Sequence, residues 1–255
     1  MQGKIIVNAD DFGLTETCSK AIARAFSENL ISSTTACANG SFIEQAIALA
    51  EEKGFIGKIG VHLNVTEGEP LTEQIKTDAF FCENGKFHGK IDRYKKPSEK
   101  ELKDFTEEIT AQIKRLILLG VKLTHVDSHH HIHTAPYLID TVKKVAKEFG
   151  IEKIRLHRNL GKIRFYKKVG KYLFNKKLKK DGFTTALKFG SLDDAISCGE
   201  TLNKYLCEIM VHPDFDKDGK LIDRKHITEN GNVGEPLNKI KKVIGDKTLI
   251  SYGEL

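Results

Sequence analysis

Lys4-Ile5-Ile6-Val7-Asn8-Ala9-Asp10-Asp11-Phe12-Gly13 decides the reading of the fold. Its first half is a β-branched run, two acids stand where the run ends, and a helical pattern over 15–29 follows. Strand, polar turn and helix in that order make a βα unit. The same alternation continues along the chain, with strand-like runs at 4–8, 32–38, 59–65, 124–127, 153–157, 208–212 and 248–252. It predicts an α/β protein with about seven mostly parallel strands; the 180s carry no clear pattern.

The helices between them have start and stop signals. Ser41-x-x-Glu44 and Ser98-x-x-Glu101 read as capping boxes. Leu102, Phe105, Ile109, Ile113 and Leu116 form an apolar stripe at helical spacing, and another helix is expected from near Pro136 to Gly150. Residues 67–97 hold scattered Gly and Pro without a firm period, which reads as a long loop with a short hairpin; long loops in compact domains are often functional.

At 255 residues the chain is long enough for one large core, and 1–255 is expected to form a single catalytic domain. An apolar fraction of 40% with 30% charged residues is ordinary for a soluble protein, and no stretch reaches the roughly 20 apolar residues a membrane span needs. The early aspartates interrupt any signal-peptide core, so export is not expected. Five scattered cysteines without a Cys-x-x-Cys pair argue against a disulfide framework and a thiolate zinc site, and fit a reducing cytoplasm.

The formal charge of +6 is local: residues 162–180 carry nine basic side chains and no acid, leaving the rest of the chain at −3. Phe165, Tyr166, Val169, Tyr172 and Leu173 recur there at helical spacing, so the segment reads as an amphipathic helix with a solvated basic face. No RNA-binding or helix-turn-helix signature accompanies it, and no nucleic-acid partner is expected.

In βα architectures sites form where strands end and loops begin. Asp10, Asp11, His62, Asp127, His129 and His212 all follow the apolar part of their strands. Adjacent carboxylates such as Asp10-Asp11 repel and lose hydration together, so a cation or proton is expected beside them; the structural alternative is a helix N-cap. If the strand stays regular, the two point in opposite directions. His125-Val126-Asp127-Ser128-His129-His130-His131-Ile132-His133 holds five of the ten histidines, and imidazoles are poor core fillers and good metal ligands. An extended chain would put 125, 127, 129, 131 and 133 on one face; a helical one would pair His129 with His133. Both readings stay open, as does that of an exposed metal-scavenging tract. Asp127 is the natural acceptor for an imidazole N–H. Alone, His62 reads as structural, His212 before Pro213 is a candidate proton donor or a loop histidine, and Arg155 and Arg158 read as surface salt bridges.

Taken together, Asn-Ala-Asp-Asp-Phe-Gly, His-Leu-Asn, Thr-His-Val-Asp-Ser-His-His-His-Ile-His and Glu-x-Met-x-His-Pro resemble the YdjC-like carbohydrate deacetylases, which include the chitooligosaccharide deacetylase. The motifs run in order from residue 8 to 213. The resemblance implies a (β/α) barrel-like fold similar to polysaccharide deacetylases, one divalent metal ion, and hydrolysis of the N-acetyl group of a small acetylated saccharide. By motif, Asp11, His62 and His129 would hold the metal, Asp10 would be the base and His212 the acid. Magnesium and a homodimer are the family's usual attributes, whereas two imidazoles and one carboxylate suit zinc or another transition metal better. The competing class is a metal-dependent phosphoesterase or amidohydrolase of βα-barrel type. Those typically open with His-x-His on the first strand, where this chain has Asp10-Asp11. A metal- or carbohydrate-binding module is the non-enzymatic alternative.

Overall fold

The computed structural model describes residues 3–227 and 233–255. Ile5, Ile6 and Val7 are buried on both sides of β1 (Lys4–Phe12), which is why that strand is a continuous apolar run and not an alternating one. After β1 come α1 (Glu16–Ser27), β2 (Ser33–Ala36), α2 (Ile43–Glu52) and β3 (Ile59–Leu63). The long 67–97 segment contains a single turn, α3 (Glu73–Lys76), and the expected hairpin, β4 (Cys82–Glu83) with β5 (Lys86–Phe87). The chain continues through α4 (Glu99–Leu118), β6 (Val126–Ser128), α5 (Ile139–Glu148), α6 (Phe165–Lys180), β7 (Lys188–Ser191), α7 (Leu192–Cys198) and β8 (Cys207–Val211). It ends with β9 (Pro213–Phe215), β10 (Leu221–Ile227), β11 (Val233–Pro236), α8 (Ile240–Ile244) and β12 (Thr248–Leu249).

The main sheet has the order β6-β3-β2-β1-β8-β7, with β12 paired to the start of β1, and every pairing is parallel. It curls into a half-barrel with helices around it. The segment expected as a strand at 153–157 is irregular. It makes bridges from Ile154 to Val126 and from Lys153 to Thr184, and just beyond it Asn159 and Leu160 donate to the Phe189 carbonyl of β7, so this stretch links the two ends of the curl. β7 takes the regular strand position instead, in the region whose pattern was unclear. A small antiparallel sheet, β11-β10-β9, continues from the end of β8.

Local signals hold in part. Ser98 and Glu101 form the capping box of α4, and Gly150 follows α5 at φ +69°. Ser41 does not cap α2: its hydroxyl donates to the Leu14 carbonyl, and Phe42 stands at the N-cap without a side-chain bond. The larger correction concerns α6. Phe165, Tyr166, Val169, Tyr172 and Leu173 are all exposed, and the helix packs instead through Asn175 and Leu178 near its C-terminal end. Helical spacing identified a shared face; packing turned that face outward. No helix among the described residues is long and apolar enough to cross a membrane.

Candidate active site

The C-terminal ends of β1, β3, β6 and β8 bring Asp10, Asp11, His62, Asp127, His129 and His212 together, every one of them buried. Two departures from regular strand make this convergence. The register between β1 and β2 shifts between Ala9 and Phe12, and Asp11 takes φ +72°, a left-handed conformation unusual for a residue with a Cβ. The bulge breaks the alternation expected of neighbours, so Asp10 and Asp11 both act on His62 and His212.

The histidine-rich stretch is neither of the two regular forms considered. Strand β6 ends at Ser128, and residues 129–134 form a tight turn with His130 and His131 at φ +50° and +55°. Its histidines therefore scatter. His129 Nδ1 lies 2.8 Å from Asp11 Oδ1, His130 meets the Thr66 hydroxyl, His133 meets the Ser128 hydroxyl, and His131 packs edge-on against Phe189. His125 stacks on Tyr252 at 3.7 Å between ring centroids, in space left by Gly60, where a Cβ would come within 2.4 Å of the imidazole.

Asp11 Oδ1 faces two imidazoles, His129 Nδ1 and, at 3.2 Å, His62 Nε2. Behind His62, Nδ1 lies 2.6 Å from Asp127 Oδ1, so Asp127 is the imidazole acceptor its position suggested. Behind His129, Nε2 lies 3.0 Å from Glu67 Oε2. Asp10 is gripped by Arg155, whose Nη1 and Nη2 donate to its two carboxylate oxygens at 2.7 Å each. The same guanidinium reaches Asp127 Oδ2 and Glu208 Oε1, each at 2.6 Å, and is 0% exposed. Arg155 is thus the centre of the buried network, not a surface ion pair. Arg158 does fit the surface reading, pairing with Asp194 while half exposed.

Burial alone would push Asp10 up, but the charge and hydrogen bonds of Arg155 outweigh it and hold the carboxyl well below its ordinary range. Burial would push His62 down; Asp127, Asp11 and Asp10 instead draw it up to about 10. His212 has no such close partner, lying 3.9 Å from both Asp10 Oδ2 and Asp223 Oδ1, and burial takes it down to about 3. Burial also raises Glu208 to about 7 in spite of Arg155.

Sequence reasoning missed Arg224. It arrives from β10 and donates to Asp11 Oδ2 at 2.6 Å, a position that only the packing of the small sheet onto the rim creates. Thr35 was also missed: its hydroxyl donates to Asp127 Oδ2 at 3.0 Å and accepts from Asn8 Nδ2 at 3.2 Å.

The donor set fits a divalent cation. Asp10, Asp11, Asp127 and Glu208 meet two permanent cations, Arg155 and Arg224, so before the histidines are counted the cluster carries an excess of one to two negative charges according to the state of Glu208. The raised His62 expresses the same demand for positive charge. Donor atoms of Asp11, His62 and Cys37 lie within 4.8 Å of one another, as do those of Asp10, His62 and Asp127. Burial and the nearby carboxylates hold Cys37 as a thiol, which leaves oxygen and imidazole nitrogen as the ready donors.

The chain is 35% identical over 150 residues to a carbohydrate deacetylase of Brevibacillus brevis, covering 58% of this chain and 57% of the relative. It is 38% identical over 146 residues to a carbohydrate deacetylase of Vibrio parahaemolyticus, covering 57% and 56%. The match therefore spans little more than half the length of these relatives. A presumed cellobiose-phosphate cleavage protein from Enterococcus faecalis shares the fold, with a TM-score of 0.73 at 20% identity over 100% of this chain and 99% of that one. The family model described as YdjC-like protein matches residues 4–238, nearly the whole chain, and the protein belongs to that family.

Proposed function

We propose that this protein is a metal-dependent carbohydrate deacetylase that hydrolyses the N-acetyl group of an acetylated amino sugar or short chitooligosaccharide-like substrate to acetate and a free amine. The observation that carries the reading is the Asp11 carboxylate facing both His62 and His129 while Asp10 and His212 stand beside it. Asp11, His62 and His129 would hold the ion. Two imidazoles with one carboxylate favour zinc or another transition metal over magnesium. When bound, the cation supplies Lewis acidity toward the acetamide carbonyl and acidifies the attacking water.

The chain's own residues handle the protons. Asp10, kept ionised by Arg155, accepts the proton of the attacking water. The C–N bond then breaks, and the departing nitrogen takes a proton from His212. With its pKa near 3, His212 holds no proton in reserve at neutral pH. The proton collected by Asp10, 3.9 Å away, is the one it passes on. The 67–97 segment and β9–β10 supply walls for the sugar. By family resemblance the working unit is a homodimer, and the five scattered cysteines fit a reducing cytoplasm.

The test is acetate release from N-acetylglucosamine oligomers by protein stripped of metal and reloaded with magnesium, zinc, cobalt or manganese, run beside phosphate release from generic esters. Metal-dependent acetate release is expected. Phosphate release without acetate would transfer the site to the phosphoesterase class, and sugar binding without turnover would make it a binding module.

A further inference from the structure

Both imidazoles that face Asp11 have a carboxylate at the opposite ring nitrogen, but the two carboxylates differ in kind. Asp127, behind His62, is buried, belongs to the histidine-rich motif and is locked by Arg155 and Thr35. Glu67, behind His129, belongs to no motif, lies on the rim, and has a side chain that is 55% exposed. A long exposed side chain meeting a buried nitrogen needs its backbone held, and the structure holds it closely.

Asn64 folds the turn that carries Glu67. Its Oδ1 accepts from the backbone N–H groups of Thr66 and Glu67, both at 3.1 Å, and its Nδ2 donates to the Glu67 carbonyl at 2.9 Å. Asn39 donates to the same carbonyl at 3.2 Å and to that of Glu69 at 3.1 Å. Gln112 of α4 fixes Asn64 in turn, accepting from its N–H at 2.9 Å and donating to its carbonyl at 2.7 Å. The Glu67 backbone is thus bound at both its N–H and its carbonyl, and its carboxylate lies 3.0 Å from His129 Nε2.

We infer that Glu67 is a positioning residue: it accepts the Nε2–H of His129, fixes that tautomer, and so presents Nδ1 to the cation. The inference rests on the metal reading proposed above. It assigns the donors unequally, Nε2 from His62 and Nδ1 from His129, because each ring offers the metal whichever nitrogen its carboxylate leaves over. A carboxylate behind an imidazole also makes the ligating nitrogen more basic.

The test measures binding of Zn²⁺ and Co²⁺ to metal-stripped protein by calorimetry, together with the histidine tautomer by ¹⁵N correlation spectroscopy. Glu67→Leu should weaken affinity about 10- to 100-fold and mix the His129 tautomers. Glu67→Gln keeps an oxygen acceptor and should restore most of the affinity, which separates positioning from a general loss of charge. Glu69→Gln, whose side chain faces Lys86, should leave both readouts unchanged. Undiminished ion binding by Glu67→Leu, or His129 ligating through Nε2 in the loaded protein, overturns the inference and leaves the metal site standing. Wild-type protein that binds neither ion removes the metal reading and this assignment with it.

Discussion

Arg155 holds Asp10 through two parallel hydrogen bonds of 2.7 Å, with the arginine fully buried and the aspartate 2% exposed. A fork of this geometry does two things for a carboxylate proposed to accept a proton. It keeps the group ionised, and it fixes the direction of the lone pairs left over. Because the same guanidinium also holds Asp127, which orients His62, the proposed general base and an imidazole proposed to face the metal are set from a single side chain.

Replacing Arg155 tests that coupling. Arg155→Met leaves Asp10, Asp127 and Glu208 buried together without their counter-charge and should cost about 3–5 kcal/mol of stability. Arg155→Lys keeps the charge but not the fork, and kcat/KM for acetate release should fall about 100-fold with a much smaller change in thermal midpoint. A lysine variant with full activity would show that charge alone suffices.

Asp10 and His129 should separate chemistry from metal binding. Asp10→Asn should lower kcat by about 10²–10⁴-fold while metal content by elemental analysis stays at the wild-type level. His129→Ala should lose the metal. Normal turnover in Asp10→Asn would remove the proposed base.

Glu108 anchors the long 67–97 segment from beneath. Fully buried on α4, it accepts from the N–H groups of Leu71 and Thr72 and from the Thr72 hydroxyl. Glu108→Leu strands those donors at about 1–3 kcal/mol each. Hydrogen exchange over 67–97 should quicken and KM should rise more than kcat falls, whereas Glu108→Gln should be milder. A protection pattern unchanged in Glu108→Leu would rule the anchor out.

The protein should lose stability on the acid side well before its carboxylates titrate. Burial lowers His125 and His133 well below the usual histidine value and takes His157 down to about 4. Each is neutral when folded and takes up a proton near pH 6.5 when unfolded, so the unfolded state binds more protons and stability falls as pH drops below 6.5. The slope approaches about 1.4 kcal/mol per pH unit for each histidine involved. Denaturant midpoints at pH 7.5, 6 and 5 measure it. His133→Asn, which keeps a polar partner for Ser128 and removes one titration, should flatten the profile; a midpoint that does not vary over this range would contradict the sign.

Much of the site could be read in the chain because its signals are local. A β-branched run ending in acids, a strand histidine before Leu63-Asn64, and a histidine ahead of Pro213 each mark a strand end, and a parallel sheet gathers strand ends on one rim. Asp127 was identified as an imidazole acceptor from chemistry alone. The failures are equally specific. The bulge that turns Asp11 to φ +72° lies just past the last residue paired with β8, in the register between β1 and β2, and nothing in Ala9-Asp10-Asp11-Phe12 announces it. Nor does the sequence announce that His130 and His131 take left-handed backbone in the turn after β6.

Residue type and spacing by themselves determined the α/β class, the parallel order of units, the capping of α4 and the set of side chains able to meet a cation, since these depend on backbone preference and donor chemistry within a few residues. The family motif pointed to His129 among the five histidines, but only the folded chain decided that Arg155 is buried, that Arg224 and Glu67 reach the rim, and that the apolar face of α6 points outward. Those outcomes depend on contacts between segments tens to hundreds of residues apart, where burial and charge are set by the neighbours that packing supplies.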